Sequence, residues 1–293
     1  MALLVAAALF GSTFVVVQGA IDDSDPLVFL TLRFAVAAGV LWAALWFTRR
    51  RGGSASRPLR ATARLSRPMW RDGVAAGAAL SVGYWTQTEG LRFTTTTASA
   101  FITYLLVVFV PLIAWLTWRR VPNGSTLVGL ALALVGLFAL NPGGVSLGKG
   151  ELLTVGCAIA FATHIVILEA RSHRHQALAL AAVQLTTVAG LMATAALLSG
   201  AEFSVTHEAF AAAVFTAVGA SALGFSLQTW AQARVESTRA ALLLTTETIV
   251  AAVLGVIVGE RLSVREWAGV ALILVGVVVA ETRGRVPRAH TTP

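Results

Sequence analysis

Phe10-Gly11-Ser12-Thr13-Phe14-Val15-Val16 returns in the second half of the chain as Phe161-Ala162-Thr163-His164-Ile165-Val166-Ile167. A second stretch, Val128-Gly129-Leu130-Ala131-Leu132-Ala133-Leu134-Val135-Gly136, returns as Ala268-Gly269-Val270-Ala271-Leu272-Ile273-Leu274-Val275-Gly276. Both copies lie in strings of apolar segments, and internal duplication of such strings is a mark of transporter architecture. Composition points to the same solvent. The chain has 57% hydrophobic and only 12% charged residues, about half the charge a water-soluble domain carries, so most of its surface is expected to face lipid. The net charge of +8 does not indicate nucleic acid, because the arginines fall in short connectors rather than on a soluble basic face. The single cysteine, Cys157, lies inside an apolar run, which excludes a disulfide framework or a thiol metal site.

About 20 mainly apolar residues are needed for a helix to cross the hydrocarbon. Ten stretches are read as spans, at 2–20, 27–48, 72–91, 97–118, 124–141, 151–170, 177–199, 208–232, 238–259 and 264–281. The first lacks a basic leader and mirrors the sixth, so it is read as a retained helix, not a signal peptide. Turn residues punctuate the connectors at Asp25-Pro26, Pro122-Asn123-Gly124 and Asn141-Pro142-Gly143-Gly144. The longest connector carries Arg49, Arg50, Arg51, Arg57, Arg60, Arg64, Arg67 and Arg71, and the positive-inside rule makes it cytoplasmic. With ten spans both termini are then cytoplasmic. Seventeen Lys/Arg fall on that side and four, Arg92, Lys149, Arg261 and Arg265, on the other.

The offset between the copies is shorter for the second pair of stretches than for the first, and the lost length is the arginine-rich connector, whose counterpart in the second half is short. Each half therefore has five spans, and an odd number inverts the second copy relative to the first. The expected fold is an all-α polytopic membrane protein, ten transmembrane helices in a 5+5 inverted repeat around a central cavity. Residues 1–141 form the first repeat, 142–282 the second and 283–293 a cytoplasmic tail, and the plasma membrane is the expected location.

Polar residues inside the spans are the candidate site. Arg33 lies two turns inside span 2, where a lipid-facing charge would cost roughly 2.5–3.5 kcal/mol, so it faces the interior. It contacts substrate or relays protons there, or it pairs with Glu89. Its repeat mate is Gln184. Tyr84-Trp85-Thr86-Gln87-Thr88 in span 3 is mirrored by Phe225-Ser226-Leu227-Gln228-Thr229 in span 8. The repeated Gln-Thr pairs either converge on a midplane cavity or make interhelical hydrogen bonds. Tyr104 and His164 join Arg33, Tyr84, Trp85, Gln87, Gln184 and Gln228 as candidate substrate contacts. Glu247, in span 9, has no basic residue at its depth and a repeat mate, Val107, that cannot ionise. It suits a proton-coupling site, or is a neutral acid bonded to a neighbouring helix. Pro111 is expected to kink span 4. The ridges Gly129/Gly136 and Gly269/Gly276 allow close packing, as scaffold or as a homodimer contact, and the tryptophans near span ends are expected to be interface anchors. Neither a metal-binding His/Glu pair, nor a nucleophile elbow, nor a phosphate loop is present, so no catalytic residue, metal or cofactor is assigned.

Gly11-Ser12-Thr13-Phe14-Val15, Pro26, Phe29-Leu30-Thr31-Leu32-Arg33-Phe34, Thr97-Ala98-Ser99-Ala100-Phe101 with Pro111, and Glu247 followed by Gly259-Glu260-Arg261-Leu262 and Gly269 together resemble the EamA branch of the drug/metabolite transporter superfamily. The resemblance runs through both halves in order. It implies a ten-helix secondary transporter exporting small polar metabolites, often amino acids or related compounds, by alternating access. The family often has proline after the glutamate of span 9, where this chain has Thr248, and the Gly-Glu ending is matched only in the second half. Four-helix multidrug relatives have a functional glutamate in their first span; this chain has none there, so that mode of drug–proton exchange does not carry over. The alternatives are a polytopic enzyme on lipid-linked substrates, which needs a cluster of acids or histidines at one interface, and a receptor or assembly partner, which would show no saturable flux.

Overall fold

The structure, a computed structural model, describes residues 1–21, 24–51, 66–94, 96–140, 148–257 and 261–283. All its regular elements among these residues are helical: α1 (Ala2–Ile21), α2 (Pro26–Arg51), α3 (Arg67–Leu91), α4 (Thr96–Tyr104), α5 (Leu106–Trp118), α6 (Gly124–Leu140), α7 (Lys149–Arg171), a 3₁₀ turn (Ser172–Arg174), α8 (Ala177–Ser199), α9 (His207–Thr216), a π-helical stretch (Ala217–Gly224), α10 (Phe225–Gln232), α11 (Ser237–Leu244), α12 (Thr246–Ile257) and α13 (Val264–Arg283). Side chains supply the amide partners that the first helical turns lack. Asp25 accepts from the backbone N–H of Leu27 at 2.8 Å, Asn123 from Thr126 at 2.8 Å and Thr206 from Ala209 at 3.2 Å.

Among the described residues, six stretches are long and apolar enough to cross a membrane: Pro26–Arg50, Ser99–Trp118, Lys149–Arg174, Ala177–Ser199, His207–Gln232 and Ser237–Leu254. The ten expected spans are not all among them. α1 is an apolar helix of 20 residues, and α6, Gly124–Leu140, is a shorter apolar helix. α3 is 25 residues long but carries the polar run that lines the interior, which lowers its hydropathy. The outer surface is apolar, with Val82, Leu116, Leu198 and Phe215 among many large side chains exposed, a surface that a monomeric protein would not keep in water. The chain is a polytopic membrane protein.

Contacts at the helix termini define two ends of the bundle. At the arginine end, Asp72 of α3 pairs with His175 Nε2 at 2.9 Å, with Arg171 at 3.4 Å and with Arg71 at 3.1 Å. Glu169 accepts from the Ser237 backbone N–H at 2.8 Å, and Arg239 makes a two-pronged pair with Glu281 at 3.1 and 2.7 Å. At the opposite end, Thr94 donates to Glu151 at 2.6 Å, Lys149 lies 4.0 Å over the Phe93 ring, and Arg265 donates to the Phe138 carbonyl at 3.3 Å. Arg57, Arg60, Arg64, the Asn141–Gly144 turn, Gly259, Glu260 and the tail from Gly284 lie outside the described residues.

The glycine ridges meet each other within the chain. A Cβ on Gly129 would come within 2.5 Å of the Gly276 carbonyl, and one on Gly136 within 2.6 Å of the Gly269 carbonyl. The contacts run in opposite sequence directions, so α6 and α13 pack antiparallel with backbones in near contact. These faces are scaffold. Pro111 lies inside α5 without ending it. The interruption between α4 and α5 falls instead at Leu105, whose N–H bonds Ile102 and whose carbonyl takes the N–H of Val108, in tightened three-residue turns. The interruption between α11 and α12 falls at Thr245, the repeat mate of Leu105, with Thr248 bonding back to Thr245 in the same way.

Candidate functional site

Helices from both halves enclose a cavity of about 470 Å³, a size typical of small-ligand sites. It extends from Phe10, Leu106, Ile165, Phe225 and Leu244 at its floor to Pro26, Leu91 and Arg92 near the end opposite the arginines. The floor and walls are aromatic. Phe10 meets Phe225 at a tilt with ring centres 5.0 Å apart, Tyr84 meets Phe161 edge-on at 5.3 Å and Phe34 meets Tyr84 at 4.9 Å. These contacts are possible because Gly83 leaves room for Phe161, and Gly224 for Phe10. In each case a glycine of one half receives a phenylalanine of the other.

Arg33 is 5% exposed and lines the cavity. Its Nε donates to Ser221 Oγ at 2.8 Å, and its guanidinium lies 5.5 and 5.8 Å from the Phe34 and Tyr84 ring centres. Ser221 belongs to the π-helical stretch; such segments, rare elsewhere, often occur at functional sites. With Nε held, the terminal nitrogens remain for a planar acceptor such as a carboxylate. Glu89 is instead paired with Arg92 at 3.1 Å, so the alternative Arg33–Glu89 pair is not formed.

Glu247 lines the same cavity, in the first turn of α12. Tyr104 and Arg33 line the cavity beside it, and the Arg33 charge acts on it through space. One cavity therefore holds a cation and an acid that are not in direct contact. Gln87 donates to Thr103 at 3.1 Å. Gln228 donates to Gln232 at 3.0 Å, which donates to the Ile165 carbonyl at 3.0 Å.

Of the sequence-predicted residues, Arg33, Tyr84, Gln87, Tyr104, His164, Gln228 and Glu247 converge on this cavity. Two are placed elsewhere. Trp85 is 47% exposed on the outer face, because one residue along a helix turns a side chain by about 100° from Tyr84. Gln184 is fully buried behind the cavity, bonded to His164 at 2.8 Å and to Thr229 at 3.3 Å; it holds the imidazole that reaches the wall. Sequence reasoning missed Phe10, Thr13, Thr103, Phe161 and Phe225, all cavity-lining, and Ser221. The repeat held a signal for some of them, since Phe10 is the mate of Phe161 and Thr13 the mate of His164.

Comparison with known proteins fits these observations. The model of the EamA-like transporter family matches residues 1–141 and 148–282. A protein of Archaeoglobus fulgidus described as an uncharacterized transporter is 30% identical over 284 residues, which covers 96% of this chain and 85% of the relative. A solved structure titled "Crystal structure of protein" superposes with a TM-score of 0.78 over 95% of both chains at 19% identity, a likeness of fold. With two successive family matches and a relative of similar length, the chain belongs to the EamA-like transporter family.

Proposed function

We propose that this membrane transporter is a secondary exporter of a small polar metabolite, an amino acid or a related compound, working by alternating access. The observation that carries the reading is the placement of Arg33 and Glu247 on one aromatic-walled cavity. A zwitterion would offer its carboxylate to the free fork of Arg33 and its ammonium to Glu247, while the rings of Tyr84, Phe161 and Phe225 cover an apolar side chain. Glu247 also serves as the proton-coupling site, since an acid that exchanges between a proton and a substrate ammonium links the two fluxes.

Residues 1–141 and 142–282 form the two five-helix repeats of a ten-span bundle, related by inversion. The antiparallel contact of α6 with α13, its repeat mate, supports this arrangement, as do the reciprocal Gly83–Phe161 and Gly224–Phe10 contacts. The arginine end, both termini and the tail lie in the cytoplasm, and the membrane is the plasma membrane.

The test is flux of a radiolabelled L-amino-acid panel in reconstituted vesicles. Saturable flux of at least one member is expected, with KM raised about tenfold or more in Arg33→Ala, the loss that follows removal of a charge-assisted hydrogen bond. Folded protein that moves no member of the panel saturably would sink the reading.

A further inference from the structure

The cavity occupies one half of a bundle whose other half is built from the repeat mates of its walls. Gln87, Thr88 and Leu91 of α3 line the open half. Their repeat mates, Gln228, Thr229 and Gln232 of α10, turn largely away from it. Gln228 still reaches the cavity, but Thr229 is fully buried and Gln232 is 1% exposed. The substitution of leucine by glutamine at the third position is physically odd. The apolar mate faces an open cavity, and the polar one is packed in the interior, where an amide is costly to bury unless bonded.

Those bonds trace a line. Gln228, at the cavity floor, donates to Gln232 one turn nearer the arginine end; Gln232 donates to the Ile165 carbonyl of α7. One turn further along α7, Glu169 accepts from the Ser237 N–H and faces Arg120 at 3.8 Å. A polar seam thus runs between α7, α10 and α11 from the cavity floor to the arginine end, through an otherwise apolar core containing Ala162, Ile165, Ala231 and Ala241.

We infer that this Gln228–Gln232–Glu169 seam is the shut second half of the substrate pathway, with Glu169 and Arg120 at its mouth. The inference rests on the transport reading above. When the bundle changes state, the seam parts and its amides replace their mutual bonds with bonds to water and substrate, while the Leu91 side closes. A seam of amides can do both, because each pair exchanges one set of hydrogen bonds for another with little net cost, whereas an apolar seam would present no polar path.

Cysteine accessibility tests this. In a Cys157→Ser background, which removes the single native thiol, Gln232→Cys and Leu91→Cys are probed with a membrane-impermeant maleimide from each side of oriented membrane vesicles. Ala182→Cys, in the buried core of α8, sets the unreactive baseline. Expected is labelling of L91C from the side opposite the arginines, and of Q232C only from the arginine side, at least tenfold above baseline. Ser237→Cys, a near-isosteric change at the mouth, replaces Q232C if that variant is not inserted. Amino-acid flux is measured in the same vesicles. Intact flux with seam cysteines at baseline, or labelled from the Leu91 side, overturns the inference and leaves the transport reading standing; seam labelling without flux for any amino acid supports the path and sinks the transport reading.

Discussion

The α4–α5 and α11–α12 segments are repeat mates that share a backbone and differ in chemistry. Both are broken at the same repeat position, Leu105 and Thr245, and both resume with a three-residue turn. The residue two places beyond the break is buried Val107 in one and cavity-lining Glu247 in the other. The residue just before it is Tyr104 in the first and Leu244 in the second. The tyrosine of one half lines the same cavity as the acid of the other. Arg33 and Ser221 divide in the same way, cation from the first half and anchor from the second. Shared features of the repeats therefore supply the architecture and part of the cavity wall, Phe10 with Phe161 and Gln87 with Gln228, and the unshared ones supply the cavity's charge.

The sharpest way to break this comparison is to make the two segments alike. Glu247→Val copies the first half and should abolish flux driven by a pH gradient, a loss of about 100-fold or more if the acid also holds the substrate ammonium; measured uptake with and without an imposed gradient decides it. Glu247→Gln should keep exchange of substrate for substrate while losing the response to the gradient. Gradient dependence that survives in Glu247→Gln would place coupling elsewhere.

Shared architecture predicts equal penalties. Gly129→Ala and Gly276→Ala force a methyl into the same backbone crossing from either side, and each should cost about 1–3 kcal/mol, read as a similar drop in thermal stability in detergent. Gly39→Ala, with open space around it, should be neutral or slightly stabilising. Unequal penalties at Gly129 and Gly276 would show that the crossing is less symmetric than its contacts.

A smaller effect is expected where one half only positions the other. Ser221→Ala removes the bond that fixes Arg33 Nε and should raise KM about threefold to tenfold with the maximal rate nearly unchanged. The smallest belongs to Trp85→Ala, which should leave KM within about twofold, as an outward-facing substitution should. A larger shift in Trp85→Ala would return that residue to the binding surface.

Much of the fold could be read from the chain because lipid imposes few choices. Long apolar runs, turn residues between them and arginines confined to alternate connectors follow from the need to satisfy every backbone amide within a span and to keep charge out of hydrocarbon. The site was legible where a residue type was expensive in that setting, and Arg33, Gln87, Gln228 and Glu247 stood out for that reason. Phe10, Phe161 and Phe225 did not, because a phenylalanine in a membrane helix is equally at home against lipid, in the core or on a cavity wall. Leu105 gave no warning either, while Pro111, further along the same span, drew the expectation of a kink.

The sequence by itself determined that the chain is duplicated, built of membrane helices and a member of its transporter family, since composition, periodicity of runs and repeat spacing are properties of the linear chain. Only the tertiary structure decided which face of each helix turned inward. In water, an apolar stripe marks the buried side of a helix; in a bilayer both the core and the solvent are apolar, so that signal fades. Tyr84 and Trp85 are adjacent in the chain, and it is the packing of α3 against α7 and α8 that puts one ring in the cavity and the other toward lipid.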